Sequence, residues 1–127
     1  MGEFLFRHHE GQHRVYSLVP QLAGQVLCRN EDLMGIAFGG SYAGKKYKEG
    51  DDVDMDLLFR SSPTRPRLEE VRTDIASTFA AEGLPVHIRA PLASETIAMS
   101  MRVTLYHHPN TPFITRNSNI AKDWGLR

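Results

Sequence analysis

The sequence has few of the features that mark secreted, membrane or nucleic-acid-binding proteins. It contains one cysteine, Cys28, so no internal disulfide can form, which indicates a reducing, cytoplasmic compartment. No apolar run approaches the roughly 18 residues of a membrane span, and the apolar run at the start is too short for a signal peptide. The formal net charge is zero, which argues against broad electrostatic binding to nucleic acid or to an anionic membrane.

What remains is the composition of a soluble globular protein. Apolar residues make up 41% and charged residues 24% of the 127 residues, a length typical of one domain. We therefore expect a single domain over residues 1–127, with its core at about 15–106 and a polar tail at 107–127. Cys28 lies in an apolar stretch and is predicted to be a small core residue.

Apolar spacing predicts alternating helices and strands. The predicted helices cover residues 15–29, 66–83 and 92–101, with a less regular one at 119–124, and Pro20 places the start of the first near Ser17. The predicted strands cover residues 34–38, 53–59, 84–89 and 102–106, and residues 41–52 are predicted to be a loop. This order indicates a small α/β (α+β) domain, with a mixed sheet and helices packed on it.

The most informative segment begins where the strand at 34–38 ends. Gly39 and Gly40 permit positive φ and let backbone amides approach an anion closely, and Ser41 adds a hydroxyl donor. Lys45 and Lys46, in the following loop, can contact a triphosphate as point charges. We interpret Gly40, Ser41, Lys45 and Lys46 as a phosphate-binding segment; a solvated loop explains the lysines equally well.

Two aspartates follow on the next strand. Asp54 and Asp56 are separated by one residue, so their side chains project from the same face of a strand. The two carboxylates repel each other unless a hard divalent cation lies between them, and Mg²⁺ also bridges to triphosphate oxygens. A phosphate-binding turn on one strand and a carboxylate pair on the next are what phosphoryl or nucleotidyl transfer requires.

These residues carry a resemblance to a known family. Gly40-Ser41, a spacer and Asp54-Met55-Asp56-Leu57-Leu58-Phe59 resemble the signature of the DNA-polymerase-β-like nucleotidyltransferase superfamily, and the short chain resembles its minimal branch. The resemblance covers residues 34–60 specifically and extends loosely to Tyr106. It implies that Ser41 binds the β- and γ-phosphates of ATP or another nucleoside triphosphate, that Asp54 and Asp56 bind Mg²⁺, and that a nucleoside monophosphate is transferred to a hydroxyl.

The resemblance also implies an acceptor and a third acidic residue. Members of this size often act beside a helical partner protein in toxin–antitoxin pairs, where this chain would be the antitoxin; other members modify small molecules. The third carboxylate is expected on the strand around 86–89, where this sequence has His87 and Arg89, and the next acid is Glu95. We therefore consider His87 as the general base. The alternative is a catalytically impaired nucleotide-binding or partner-binding module on the same fold.

Three other interpretations were weighed. Gly39 to Lys46 nearly spells a P-loop, but Lys46 stands where Ser or Thr must bind magnesium. Residues 52–63 begin like a calcium loop but lack its glycine and its final glutamate. A plain turn and a solvent-facing acidic strand would leave the charges of the aspartates uncompensated except by nearby lysines.

Tyr42 and Tyr106 are predicted to be packing residues, and His107 and His108 are predicted to be exposed. The sequence leaves self-association open.

Overall fold

Helices and strands alternate through most of the chain in the computed structural model, which describes residues 5–7, 11–116 and 122, with residues 5–7, 94, 95 and 98 described by their backbone alone. The helices are α1 (Val15–Arg29), α2 (Gly40–Ala43), α3 (Arg65–Ala80) and α4 (Ser94–His107). The strands are β1 (Leu5–Arg7), β2 (Leu33–Gly39), β3 (Val53–Phe59), β4 (Val86–Ala93) and β5 (Phe113–Thr115). The predicted α/β (α+β) class with a mixed sheet is confirmed.

The described strands form one sheet in the order β1-β5-β2-β3-β4. The pair β3 and β4 is parallel and is joined through α3, whereas every other neighbouring pair is antiparallel. The register places Gly39 opposite Asp54 on one side of β3, and His87 opposite Asp54 on the other. The end of β2, the acidic strand and β4 are therefore adjacent in space.

The two faces of the sheet are covered unequally. The larger core combines α1 and α3 with one face of β2 and β3 and is centred on Ile36, Phe38, Met55 and Leu57. On the opposite face α4 contributes Ile97 and Met101 to a smaller cluster with Leu58. Because side chains two apart on a strand share a face, Asp54 and Asp56 lie on the same face as Leu58. The α4 cluster does not include the two aspartates, whose side chains stay 25% and 23% exposed.

Helix α4 corrects the prediction for residues 102–106. The sequence alternates there in the manner of a strand, but the residues continue the helix to His107. Ile97, Met101 and Leu105 are spaced by four and contribute to one cluster, so the helical stripe outweighs the short alternation.

Helix α1 corrects two more predictions. It begins at Val15, with Pro20 inside it, because His13 Nδ1 accepts a hydrogen bond from the Val15 amide at 3.0 Å and holds the start two residues before Ser17. Cys28 is exposed, because the buried face of α1 contains Val26 and Leu27 but not Cys28.

The termini of the described chain add structure that the sequence does not predict. Residues 113–115 form β5, which pairs with both β1 and β2 and is buried along its length. Arg116 fixes this segment by donating to the carbonyl oxygen of Leu33 at 2.9 Å. The helix predicted at 119–124 lies outside the described residues except at Lys122.

Candidate functional site

The turn between β2 and α2 depends on two glycines. Gly40 has a φ of +60°, and a Cβ atom added there would lie 2.0 Å from Asp54 Oδ2. A Cβ atom on Gly39 would lie 2.5 Å from the Arg89 guanidinium. The backbone of this turn is thus in direct contact with the side chains of the two strands beside it, and both contacts exist only because these positions lack a Cβ.

Helix α2 is anchored to the core by Tyr42. Its ring is fully buried, lies parallel to Tyr16 at a centroid distance of 5.5 Å and meets Phe38 edge-on at 5.4 Å. Burial raises the pKa of the Tyr42 phenol well above its usual value. The predicted packing role of Tyr42 is confirmed, whereas that of Tyr106 is wrong, because its side chain is 82% exposed.

The carboxylates of β3 are each hydrogen-bonded to a side chain of β4. His87 Nδ1 lies 3.0 Å from Asp54 Oδ1. Arg89 donates from Nε to Asp56 Oδ1 at 3.3 Å and from Nη2 to Asp56 Oδ2 at 3.1 Å, a bidentate ion pair. The sequence predicts the aspartates and singles out His87, but it does not predict that Arg89 pairs with Asp56.

These contacts define which oxygens are available to a cation. Within the described residues no group of three or more His, Cys, Asp or Glu side chains is placed to hold a metal. Mg²⁺ in triphosphate sites needs only one or two carboxylates, because phosphates and waters supply its other ligands. Asp54 fits this requirement, because its Oδ1 atom is hydrogen-bonded to His87 whereas its Oδ2 atom lies beside the Gly40 turn, where a phosphate-bound cation would be. Asp56 fits less well, because Arg89 engages both of its oxygens.

The remaining residues of the predicted phosphate-binding segment follow in the same turn. Ser41 is half-buried in α2, and its carbonyl oxygen accepts a hydrogen bond from the Lys46 amide at 2.8 Å. Lys45 has a φ of 59°, and the side chains of Lys45 and Lys46 are exposed. The segment 40–46 is therefore a compact turn with two solvated ammonium groups beside it.

A pocket of about 440 Å³ opens next to this turn. Gly39, Gly40 and Arg89 form the wall that it shares with the acidic strand. The opposite wall is the end of α4 and the turn after it, which include Thr104, His107, His108, Asn110 and Thr111. The sequence predicts that the two histidines are exposed, which they are, but their place at a pocket depends on the long α4 and could not be inferred from local sequence.

Comparison with known proteins does not place this chain in a family. No protein-family model matches it, and no curated protein shows significant sequence similarity to it. In the described part of the chain, no helix combines the length and the apolar character needed to cross a bilayer.

Proposed function

We propose that this protein is a magnesium-dependent nucleotidyltransferase, which binds ATP or another nucleoside triphosphate and transfers its nucleoside monophosphate to a hydroxyl of a protein or small-molecule acceptor. The observation that carries the proposal is the contact between the Gly40 turn and Asp54 Oδ2. It joins a phosphate-binding backbone and a carboxylate in one site, so a triphosphate on the turn and a cation on the carboxylate would neutralise each other.

The side chains divide the reaction among them. Gly40 and Ser41 hold the phosphates, Asp54 and Asp56 are the carboxylates for Mg²⁺, and Mg²⁺ when bound neutralises charge on the phosphate oxygens. The oxygen of the acceptor hydroxyl attacks the α-phosphorus, the bond from that phosphorus to the bridging oxygen breaks, and pyrophosphate leaves with the bond electrons.

His87 accepts the proton released by the acceptor. An ionised carboxylate only accepts hydrogen bonds, so Nδ1 donates to Asp54, and Nε2 is the ring nitrogen that this bond does not use. The imidazole is 61% exposed, so an acceptor can reach it from solvent.

Binding is tested first. Isothermal titration with a non-hydrolysable ATP analogue should detect binding in the presence of Mg²⁺ and much weaker binding with EDTA. Asp54→Asn combined with Asp56→Asn should abolish the Mg²⁺-dependent part, whereas Asp52→Asn, an exposed acid in the preceding loop, should leave it intact. An absence of nucleotide binding in the wild type would refute the proposal.

Turnover is tested separately by pyrophosphate release with a panel of hydroxyl acceptors. His87→Ala should lower the rate by about 10²–10⁴-fold if the imidazole is the general base, with nucleotide affinity preserved. An unchanged rate would remove His87 from the reaction. Arg102→Ala provides the control, because it removes an exposed side chain of α4 that lies outside the pocket.

A second candidate function is a nucleotide-binding or partner-binding module without turnover. It is favoured by the Arg89–Asp56 ion pair, which engages both oxygens of a carboxylate that the reaction assigns to the metal. The two candidates differ in one measurement: Mg²⁺–ATP binding accompanied by no pyrophosphate release with any acceptor supports the module. Pyrophosphate release that Asp56→Asn abolishes supports the enzyme.

A further inference from the structure

The pocket beside the Gly40 turn is lined by basic side chains, which favour one class of ligand. Among the described residues, its lining contains one guanidinium, from Arg89, two imidazoles, from His107 and His108, and no carboxylate. Its volume of about 440 Å³ lies in the range of small-molecule sites. Cationic and donor groups that converge on a concave surface favour an anion.

One edge of the Arg89 guanidinium is hydrogen-bonded to Asp56, and the other edge is available to a ligand. Its Nε and Nη2 atoms donate to Asp56, and these two bonds leave out Nη1. A Cβ atom on Gly39 would lie 2.5 Å from Nη1 and 2.6 Å from Nη2, so the whole guanidinium lies against the backbone of β2 at the pocket wall. Asp56 therefore acts as a positioning residue that fixes the guanidinium while Nη1 remains to donate.

On the opposite wall, two backbone carbonyl groups accept hydrogen bonds from within the protein. The carbonyl oxygen of Thr104 accepts from the His108 amide at 2.7 Å. The carbonyl oxygen of His108 accepts from both the amide and the hydroxyl of Thr111, at 3.1 and 2.7 Å. These bonds engage two of the carbonyl groups at the end of α4 and in the turn after it, which weakens the negative potential that these two groups present to the pocket.

We propose that this pocket binds the anionic group of the acceptor, so that the acceptor is a small molecule carrying a phosphate or carboxylate near the hydroxyl that is modified. This inference rests on the proposed nucleotidyltransferase function. Because the pocket shares Gly39 and Gly40 with the phosphate-binding turn, an acceptor anchored by Arg89 would be held next to the triphosphate. A neutral acceptor would leave Nη1 and the imidazoles without a charged partner.

The test uses glycerol 3-phosphate and glycerate as anionic probes and glycerol as their neutral counterpart. Binding is followed by NMR shifts of the Gly39, Gly44 and Asn110 amides, with and without Mg²⁺ and a saturating non-hydrolysable ATP analogue. We expect both anions to shift these amides in a saturable manner and glycerol not to. The larger response shows whether phosphate or carboxylate is the preferred anion.

Variants connect the shifts to the pocket. Arg89→Met should weaken anion binding by about tenfold or more, the loss expected for one hydrogen bond to a charged group. Because Arg89→Met also leaves Asp56 unpaired, the double variant His107→Gln, His108→Gln provides a second test that keeps the ion pair intact. Arg102→Gln removes an exposed positive charge of α4 outside the pocket and should have no effect.

Each outcome decides the inference separately from the proposed function. Pocket shifts that are saturable, specific to the anions and lost in both pocket variants support it when the ATP analogue also binds; the same shifts in a protein that binds no nucleotide overturn the acceptor role and leave an anion site of another kind. Shifts confined to the amides around Lys45 and Lys46, or equal shifts with glycerol, overturn it. If the ATP analogue binds normally and neither anion shifts the pocket amides, the proposed function stands and the anionic acceptor is wrong.

Discussion

Replacing Gly40 by alanine should disrupt both the fold and the site. At a φ of +60° an alanine costs about 1–2 kcal/mol of stability, because its Cβ crowds the following carbonyl oxygen. That Cβ would also lie 2.0 Å from Asp54 Oδ2, so the carboxylate must rotate away and lose its hydrogen bond to His87, worth about 1 kcal/mol. We expect a total loss of about 2–3 kcal/mol and no Mg²⁺-dependent nucleotide binding.

The assay is urea unfolding followed by circular dichroism, combined with ATP-analogue titration. Gly83→Ala is the matched control: its φ is +71°, but an added Cβ has only an ordinary contact, 3.4 Å from Arg14. It should lose the backbone contribution alone and bind nucleotide normally. In a double-mutant cycle, Asp54→Ala should remove about 1 kcal/mol of the cost of Gly40→Ala. Equal costs for the two glycine variants, with no coupling to Asp54, would refute the contact.

Three further predictions concern other parts of the molecule. The buried Tyr42 hydroxyl has no hydrogen-bond partner in the described chain, so Tyr42→Phe should leave the free energy of unfolding unchanged or raise it by about 1 kcal/mol; a clear loss in urea unfolding would contradict this. The hydrogen bond from Arg67 holds the pKa of Asp32 below its usual 3.8, so this carboxylate stabilises the fold above that pH and its contribution is lost as the pH falls through the folded-state value. Acid unfolding below pH 3.8 should therefore weaken wild type more than Asp32→Asn, and equal losses would refute it. His87→Asp adds a third carboxylate beside Asp54, so it should lower stability in EDTA and make the melting temperature rise with Mg²⁺, by the equivalent of about 2.7 kcal/mol at 100 times the dissociation constant; a melting temperature independent of Mg²⁺ would argue against a metal at this position.

The sequence correctly predicts the helices and strands whose apolar residues follow a single pattern, either that of a helix or that of a strand. Strand β3 is found at Val53–Phe59 as predicted, because its apolar residues alternate with Asp54 and Asp56 as far as Leu57 and a short apolar run completes it. Helix α3 is found with Pro66 in its first turn and with Val71, Ile75 and Phe79 buried. In both segments, local propensity and the buried face agree, so no tertiary contact is needed to choose between alternatives.

The secondary-structure predictions are wrong where contacts between residues distant in sequence determine the local structure. Residues 102–106 have a strand-like alternation that is overridden by the packing of Met101 and Leu105 against the sheet. Strand β5 is only three residues long and is stabilised by pairing with two other strands, which no local pattern reveals. The end of α4 and the turn after it form one wall of the pocket, so this wall could not be inferred from the chain alone.

The candidate site also combines features that the sequence predicts with features that it does not. The sequence predicts a turn at Gly40 that ends one strand and a carboxylate at Asp54 on the next, but it does not predict their direct contact. The Arg89–Asp56 ion pair depends on the parallel register of β3 and β4, including the irregularity between Met55 and Leu57. A shift of one residue would turn the Arg89 side chain to the other face of the sheet.

The side chains of β4 change what kind of metal site this can be. A third carboxylate there would collect three negative charges, and such a cluster requires cations to be stable. The Arg89 guanidinium on Asp56 offsets one of the two carboxylate charges before any metal binds, and His87 is hydrogen-bonded to the other carboxylate. The carboxylate pair is therefore compensated within the protein, which removes much of the driving force for a second Mg²⁺. Under the proposed function, a guanidinium therefore stands where the resemblance would lead us to expect an acid, so one Mg²⁺ bound through Asp54 would fit this site better than two.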